Sequence, residues 1–397
     1  MMSDKRTNKI RTNKIHCPIK GTYDFESCDS EEVTPLIEFL QLNEPVELLT
    51  KFPRGTMLPD GRLDLCKQNL GPEGCFRVAE AVASNTHVKS LLLGTDGIGD
   101  EGAGSVADLI RKNKSLQIVY LGCNHITAAG ASSLSDALKE NETVKGLWLK
   151  RNPIGDEGAI AIASLLESNG NLEVLDLVNT GIGKPGLAAL LKALEHEHCG
   201  VKRLYLGGNN LDADDAEAIA RSLSKTQTIE SLMLGVNFIG DEGALSIANL
   251  LPRCPALREL GLASNGIGPL GTKALCAAIE QHPNIRYFDF GFAPSTKVLG
   301  ADGNSPGEIG IHSFLNLLSA NTQLRRLNLR GVSLGNRDQN ELTEALRHNT
   351  NLVSLVVDRK LTQAVKDRLD RNLKNAPECS EAPEEVKLIR SVYRTAK

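Results

Sequence analysis

The stretch VKGLWLKRNPIGDEGA at residues 144–159 decides the fold of this chain. Its pattern, L-x-x-L-x-L-x-x-N-x-I-G-x-x-G-A with any aliphatic residue at the first position, recurs along nearly the whole sequence. Successive copies begin at intervals of 28, 28, 28, 29, 28, 28, 28, 39 and 28 residues. The first positions are Val88, Leu116, Val144, Leu172, Val201, Ile229, Leu257, Ile285, Leu324 and Leu352. Self-similarity at this period predicts a solenoid of stacked units.

Each copy predicts one short strand followed by one helix. In the strand, alternation sends Leu147 and Leu149 to one side and Trp148 to the other. The asparagine that follows, as at Asn152, is expected to be buried and to bond the backbone of its turn and of the neighbouring coil. Copies with a substitute at this position are expected to form a weaker ladder; the substitutes are Gln68, Asp96, Thr180, Ala293, Val332 and Lys360. An aspartate in the next turn is expected to cap the helix it begins, as at Asp100, Asp156 and Asp241.

These motifs resemble the ribonuclease-inhibitor-like subfamily of leucine-rich repeats, over about residues 58–370. That subfamily includes the ribonuclease inhibitor, the sensor arm of NOD-like receptors and the Ran GTPase-activating protein. The resemblance implies an α/β horseshoe of about 10–11 strand-helix repeats, with parallel strands on its concave face, that binds proteins. The ribonuclease inhibitor alternates 28 and 29 residues and is richer in cysteine, so its activity is not carried over.

Composition narrows the classes of function. The chain has 397 residues, a net charge of −4 with mixed signs and no basic stripe, so we expect no nucleic-acid partner. No apolar run is long enough to span a membrane, and the basic N-terminus lacks the apolar core of a secretory signal. Nine scattered cysteines do not suggest a disulfide framework. We therefore expect a reducing, cytoplasmic compartment, and the oligomeric state is left open.

The predicted organisation has one long solenoid with a segment at either end. We expect a mobile basic arm at 1–30, with its duplicated Arg-Thr-Asn-Lys-Ile, and an N-terminal cap at 31–57. The solenoid follows at 58–360 and ends in a cap helix at 361–374. The last segment, 375–397, is a linker and a short amphipathic stretch. We expect that stretch to fold back on the solenoid; the alternative is a docking peptide.

The residue between the two inward leucines of each copy predicts the binding surface. Aromatic residues make up 4% of the chain, yet Tyr120, Trp148 and Tyr205 share this column. With Leu92 and Met233 they would form an exposed strip about 25 Å long, at about 4.8 Å per strand, of the kind that anchors protein interfaces. The alternative is that they pack against one another or against a terminal segment. The whole column is Asp64, Leu92, Tyr120, Trp148, Asp176, Tyr205, Met233, Gly261, Asp289, Asn328 and Val356.

Further candidate contacts surround that column. Basic residues near Trp148 and near the last repeats predict an acidic partner with a hydrophobic centre, although most surface charges are only solvated. Glycines two residues after the column would leave its aromatic side chains accessible to a partner. They are Gly94, Gly122, Gly207, Gly235 and Gly291. The alternative is that a curved inner face simply needs small residues. The additional predicted partner-binding residues are Lys150, Arg151, Asp176, Asp289, Phe292, Arg326 and Arg330.

The 39-residue interval contains an insertion of 11 residues at 294–304, directly after Phe292 and Ala293. Insertions in repeat proteins map to loops on one rim, often the binding rim. We expect the loop to be dispensable for folding and to contribute to binding; the alternative is a neutral loop.

No catalytic or metal signature accompanies these patterns. His196-Glu197-His198-Cys199 holds potential metal donors but lacks the second pair that a zinc site needs. No phosphate loop or nucleophile elbow is present, so we expect no enzyme activity, no cofactor and no metal. The predicted function is a non-catalytic scaffold that binds a protein on its concave face. The alternatives are a regulator of a small GTPase, for which Arg151 is the arginine to test, and a recognition subunit or effector acting with a separate catalytic partner.

Overall fold

The computed structural model describes residues 15, 26–320, 322–333, 338–376 and 384–393. In these residues a 13-stranded sheet has its strands in sequence order. Neighbouring strands from β3 to β13 pair in parallel, while β1–β2 and β2–β3 are antiparallel. The strands are β1 (Thr50–Lys51), β2 (Thr56–Met57), β3 (Arg62–Asp64), β4 (Ser90–Leu92), β5 (Ile118–Tyr120), β6 (Gly146–Trp148), β7 (Val174–Asp176), β8 (Arg203–Tyr205), β9 (Ser231–Met233), β10 (Glu259–Gly261), β11 (Tyr287–Asp289), β12 (Arg326–Asn328) and β13 (Ser354–Val356).

Helices form a second layer on one face of this sheet. Since packed helices need 8–10 Å and strands about 4.8 Å per repeat, the sheet lines the concave side. The predicted strand-helix solenoid is confirmed. The helices are α1 (Ser30–Leu42), α2 (Gly71–Ala83), α3 (Gly99–Lys112), α4 (Ala128–Leu138), α5 (Gly155–Leu166), α6 (Lys184–Leu194), α7 (Ala213–Leu223), α8 (Gly240–Leu250), α9 (Pro269–Gln281), α10 (Thr296–Leu299), α11 (Gly307–Ser319), α12 (Asp338–Ala345), α13 (Gln363–Asn375) and α14 (Glu384–Lys387), with a 3-10 turn at Leu251–Arg253.

The core lies between the sheet and the helices and runs through the repeats as one continuous cluster. Leu147 and Leu149 are buried in it, while Trp148 belongs to a separate cluster on the other face of the sheet. The predicted alternation is therefore correct. The same alternation in each strand places the residues on either side of the inward leucine on the concave face.

The asparagine ladder joins each turn to the next repeat. Asn152 Oδ1 accepts from the backbone N–H groups of Asn124 and Ile126, and its Nδ2 donates to the carbonyls of Leu121 and Leu149 at 2.9 Å each. Buried backbone groups that no strand reaches are thereby satisfied.

The prediction that Ala293 occupies the asparagine position of its repeat is wrong. The inserted segment delivers Asn304 to that place, where its Oδ1 accepts from the N–H groups of Asn265 and Ile267. Its Nδ2 donates to the carbonyls of Leu262 and Phe290. The insertion therefore precedes the ladder residue, and the ladder continues across it.

The aspartates at the helix starts cap the next repeat, so the prediction that they cap their own helices is wrong. Asp156 Oδ1 accepts from the N–H groups of Gly183 and Gly186, at 2.7 and 3.0 Å, where α6 begins. Asp100 and Asp241 bond the following helix starts in the same way. Each carboxylate thus satisfies exposed helix-end donors one repeat on and fastens two repeats together.

A second asparagine ladder, which was not predicted from the sequence, bonds the carbonyl groups at the helix ends. Asn113 donates to the carbonyls of Val82 and Asn85, and its Oδ1 accepts from the N–H groups of Ser115 and Leu116. The equivalent bonds recur at other copies, where the ladder residues are Asn85, Asn141, Asn169, His282 and Asn349. The signal was present as an Asn three residues before the first apolar position.

Caps cover the solenoid at both ends. Helix α1 buries Val33, Leu36 and Leu40 against the first repeat, and α13 buries Val365 and Leu369 against the last. The predicted basic arm at 1–30 lies mostly outside the described residues. Of the helices that the structure describes, none combines the length and the apolar character needed to cross a membrane.

Candidate functional site on the sheet face

Two columns of side chains cover the concave face of the sheet, because strand positions one and three point the same way. Pairing brings Arg203, Ser231, Glu259, Tyr287 and Arg326 into the first column. The second column is the one predicted from sequence, from Asp64 to Val356. In the N-terminal half of the sheet the two columns form an apolar cluster, and in the C-terminal half they form a polar network.

The C-terminal segment covers the N-terminal half of the sheet. It therefore folds back on the solenoid, which is one of its two predicted arrangements. Leu388, which is 8% exposed, belongs to an apolar cluster on the sheet, and Ile389 and Tyr205 pack against that cluster. The sheet residues of the cluster are Cys66, Leu92, Ile118, Tyr120, Trp148 and Val174.

The prediction that Leu92, Tyr120 and Trp148 form an exposed strip is therefore wrong. Trp148 is 2% exposed and Tyr120 is 3% exposed, and Leu92 is fully buried. Asp176 is also buried, and its Oδ1 accepts from the N–H of Val178. The sequence supplied the apolar column but could not show which segment lies over it.

Glycines make room for these aromatic rings. A Cβ at Gly94 would lie 2.5 Å from the Tyr120 ring, and a Cβ at Gly146 would lie 2.3 Å from the Trp148 ring. At Gly122 the nearest atom would be the Tyr120 hydroxyl, at 2.9 Å. The expectation that Gly94 and Gly122 leave space for a partner is wrong, since the rings fill that space. In the other half the Gly207 position lies close to the Gly235 carbonyl, so this glycine lets neighbouring turns approach.

The C-terminal half of the sheet carries a polar network instead. Glu259 lies between two arginines: its Oε2 accepts from Arg203 at 2.8 Å, and its Oε1 accepts from Arg326 at 3.1 Å. Ser231 Oγ adds a third bond to Oε2 at 2.9 Å. The Arg326 guanidinium lies 4.8 Å from the centre of the Tyr287 ring, within the range of a cation–π contact. This network joins three charged side chains, a serine and a tyrosine from five neighbouring strands.

Asp289 lies next to this network. Asn328 Nδ2 and the N–H of Gly291 donate to its Oδ1 at 2.8 and 3.0 Å. Burial raises the pKa of Asp289 above its usual value, against the opposing effect of these bonds and of the Tyr287 hydroxyl. Burial also raises the pKa of Tyr287, and the nearby Asp289 charge adds to that shift.

The other predicted contact residues lie around these two halves. Met233 and Tyr205 are partly exposed near the middle of the sheet, and Arg330 is exposed beyond β12. Lys150 Nζ lies 5.4 Å from the centre of the Tyr120 ring, at the edge of the covered half. Arg151 has a left-handed backbone (φ 59°), and its N–H donates to Val178 O. Equivalent residues in other repeats share that conformation, so it belongs to the repeat and is not special to Arg151.

The inserted loop folds back over earlier repeats. Its short helix α10 contains Thr296, which is buried and donates to Ser264 Oγ at 2.7 Å. Leu299 reaches the turn at Gly208, while Val298 is exposed. Phe292 packs against Gly303 and Gly331. The expectation that 294–304 is dispensable for folding stays a prediction. The structure supplies an argument against it, because the deletion would remove Asn304 from the ladder.

The described residues show no cluster of three or more side chains able to hold a metal ion. The His196 and His198 rings lie 5.3 Å apart and stack at an angle. The cysteines in the described ranges are free thiols: Cys28, Cys66, Cys75, Cys123, Cys199, Cys254 and Cys276. Burial raises the pKa of Cys254 to about 11, so this thiol is protonated at neutral pH.

Parallel strands in register, a helix layer and ladders that join successive turns define a strand-helix solenoid. Within that class, residues 112–135, 140–163, 168–191 and 253–276 match the family model described as Leucine Rich repeat. The chain therefore contains leucine-rich repeats, a type of domain that generally binds proteins.

Solved structures that match include actin-binding site 2 of leiomodin-1, at 16% identity and a TM-score of 0.32, covering 47% of this chain and 90% of that chain. The tropomodulin C-terminal domain of Caenorhabditis elegans matches at 16% identity and a TM-score of 0.33, covering 48% of this chain and 96% of that chain. Neither likeness extends to function. Comparison with curated protein sequences gives no match.

Proposed function

We propose that this protein is a non-catalytic binding module whose protein partner occupies the open, C-terminal half of the sheet face. The observation that supports this most is the Glu259 network. Arg203 and Arg326 are held in place before a partner arrives, so little side-chain entropy is lost when they are contacted. Arg326 keeps 36% of its side chain exposed and is therefore within reach of a partner.

The chemistry of this surface favours an acidic partner with an apolar centre. Arg203, Arg326 and Arg330 outnumber the carboxylates of Glu259 and Asp289 on this part of the sheet. Met233 and Tyr205 lie beside the network, and these residue types are enriched in the centres of protein interfaces. Opposite charge around an apolar centre speeds association and selects the partner.

Charge reversal at an exposed position tests this proposal. Arg330→Glu should weaken binding of a partner captured from native cells by at least about tenfold, because it reverses a charge at the interface. Binding should also lose part of its salt dependence. The matched control is Lys112→Glu, an exposed basic residue at the end of α3 on the helix side of the solenoid. Equal affinities for wild type and Arg330→Glu would overturn the proposal.

We also propose a subfamily and a cellular location for this protein. The 28-residue period supports a ribonuclease-inhibitor-like subfamily, and the free thiols support a reducing, cytoplasmic location. Recovery of a small GTPase in the capture experiment would favour the regulator alternative, and Arg151→Ala would then be the variant to assay. Recovery of an enzyme assembly would favour a recognition subunit. Since the C-terminal segment covers Trp148, substituting Trp148 tests that segment and not this partner.

A further inference from the structure

Residues 388–393 lie on the N-terminal half of the sheet in the manner of a bound peptide. Their main chain is held at three places. Ser90 Oγ donates to the Leu388 carbonyl at 2.8 Å, the Arg62 guanidinium donates to the Arg390 carbonyl, and the Val392 N–H donates to Asp64 Oδ2 at 2.6 Å. These bonds use two carbonyl groups and one N–H of a segment that runs through turns directly after α14.

The side chains of the segment supply selectivity. Leu388 enters the apolar cluster around Trp148, and Ile389 packs against that cluster. Ser391 Oγ donates to Asp64 Oδ1 at 3.0 Å, and the Tyr393 hydroxyl lies 2.6 Å from Thr56 Oγ1. Two adjacent aliphatic residues, a serine and a tyrosine are therefore recognised in the order Leu-Ile-x-Ser-x-Tyr.

Asp64 is a buried side chain that bonds the segment directly. Its side chain is fully buried, and besides the N–H of Cys66 its carboxylate accepts from Ser391 and Val392. Removing the segment would leave the carboxylate with one of these three donors. The vacated carboxylate is therefore an acceptor that another segment with hydrogen-bond donors can use.

We propose that strands β2–β7 form a peptide-binding site whose resident ligand is the C-terminal segment of the same chain. The same site takes, in exchange, a segment of a partner protein that presents two adjacent aliphatic residues followed by a hydroxyl donor. This surface meets the open half of the sheet only at Tyr205, and its test uses neither Arg330 nor the Glu259 network, so the site stands or falls independently of the function proposed above.

The resident segment sets the affinity that a competitor must overcome. An attached ligand acts at an effective concentration on the order of 1 mM. An outside peptide therefore binds the intact chain with its own affinity multiplied by the small fraction of molecules whose segment is released. The site is closed to weak ligands and opens to a strong competitor or when the segment is displaced.

Trp148 makes the proposal measurable, because it is the only tryptophan in the chain and lies in the covered cluster. The double variant Leu388→Asn and Ile389→Asn should shift Trp148 emission to the red and increase its quenching by acrylamide. A synthetic peptide of residues 384–397 should then bind this variant and restore the emission. The same peptide with Asn at both positions should not.

Controls separate the site from general misfolding. Ile160→Asn makes the same kind of aliphatic-to-Asn change at an exposed side chain of α5, outside the site, and should leave Trp148 emission unchanged. Labelled peptide should bind wild type roughly 10²-fold more weakly than the double variant. If the double variant loses its far-UV circular dichroism, Asp64→Asn in the full chain serves as the second variant. Its Trp148 emission should shift to the red, because the resident segment loses charge-assisted bonds from Ser391 and Val392.

The proposal is overturned if the folded double variant does not bind the peptide, or if wild type binds it equally well. It is also overturned if Trp148 emission of wild type depends on protein concentration, since the segment would then come from a second copy.

Discussion

At the scale of single residues, Asp96 occupies a ladder position where neighbouring repeats carry asparagine. It is fully buried; its Oδ1 accepts from the N–H of Gln68, and its Oδ2 has no hydrogen-bond partner in the described part of the chain. In Asn124 the amide at this place donates to the carbonyls of Leu93 and Leu121. Burial raises the pKa of Asp96 well above its usual value. Protonation gives this carboxyl group a hydrogen-bond donor, which an asparagine amide has at every pH.

The substitution Asp96→Asn should therefore stabilise the protein at neutral pH. A carboxyl group whose pKa is raised by folding gives its full stability below its unfolded pKa of about 3.9 and loses it as the pH rises through the folded value. The variant should gain about 1–3 kcal/mol in free energy of unfolding near pH 7 and little near pH 4. Urea unfolding at both values measures this. The reverse change, Asn152→Asp, should destabilise at pH 7; a gain at Asp96 that is independent of pH would contradict the explanation.

At the scale of elements, contact between successive helices depends on glycine at the start of the next helix. A Cβ at Gly186 would lie 2.7 Å from Asp156 Oδ1 and 2.9 Å from Ala159 Cβ. Gly186→Ala should push α5 and α6 apart and weaken the cap that joins them, lowering the free energy of unfolding by about 1–3 kcal/mol. Gly104→Ala in α3 is the matched control, because a Cβ there meets nothing within 4 Å.

The control should be stabilised by about 0.5–1 kcal/mol, which is the helix preference of alanine over glycine. Thermal unfolding of the two variants gives opposite shifts if this account is correct. Equal shifts would show that glycine at Gly186 serves chain flexibility and not packing.

The sequence predicts the strands and helices better than it predicts the contacts between one repeat and another. The 28-residue period gives the strands, the helices and the asparagine ladder, because each depends on spacing within one repeat. It places the aspartates on the wrong helix, because Asp156 acts on a backbone 27 residues later. It identifies the column containing Trp148 and leaves open whether that column is covered. The covering segment begins more than 200 residues away in a stretch without the repeat, so its docking depends on tertiary geometry that the period does not encode.

At the scale of the whole molecule, the C-terminal segment joins the two ends of the solenoid. From Ala376, at the end of the last cap helix, to Leu388 on the first repeats, the chain has 12 residues and can span at most about 43 Å. The sheet must curve enough to bring its ends within that reach. An open solenoid transmits stability only between neighbouring repeats. The docked segment adds one contact between the most distant repeats.

Releasing the segment should therefore affect both ends and spare the middle. In the variant Leu388→Asn and Ile389→Asn, amide hydrogen exchange should become faster in β2–β6, which lose their cover, and in α13, which loses its attachment. Exchange in α8 and α9 should stay the same, because in a solenoid only neighbouring repeats share contacts. Ile160→Asn, at an exposed side chain of α5, is the matched control and should match wild type in β2–β6, α8, α9 and α13. Faster exchange at the N-terminal strands alone would show that the segment covers them without supporting the C-terminal cap, and an even increase along the chain would show that the repeats unfold as one unit.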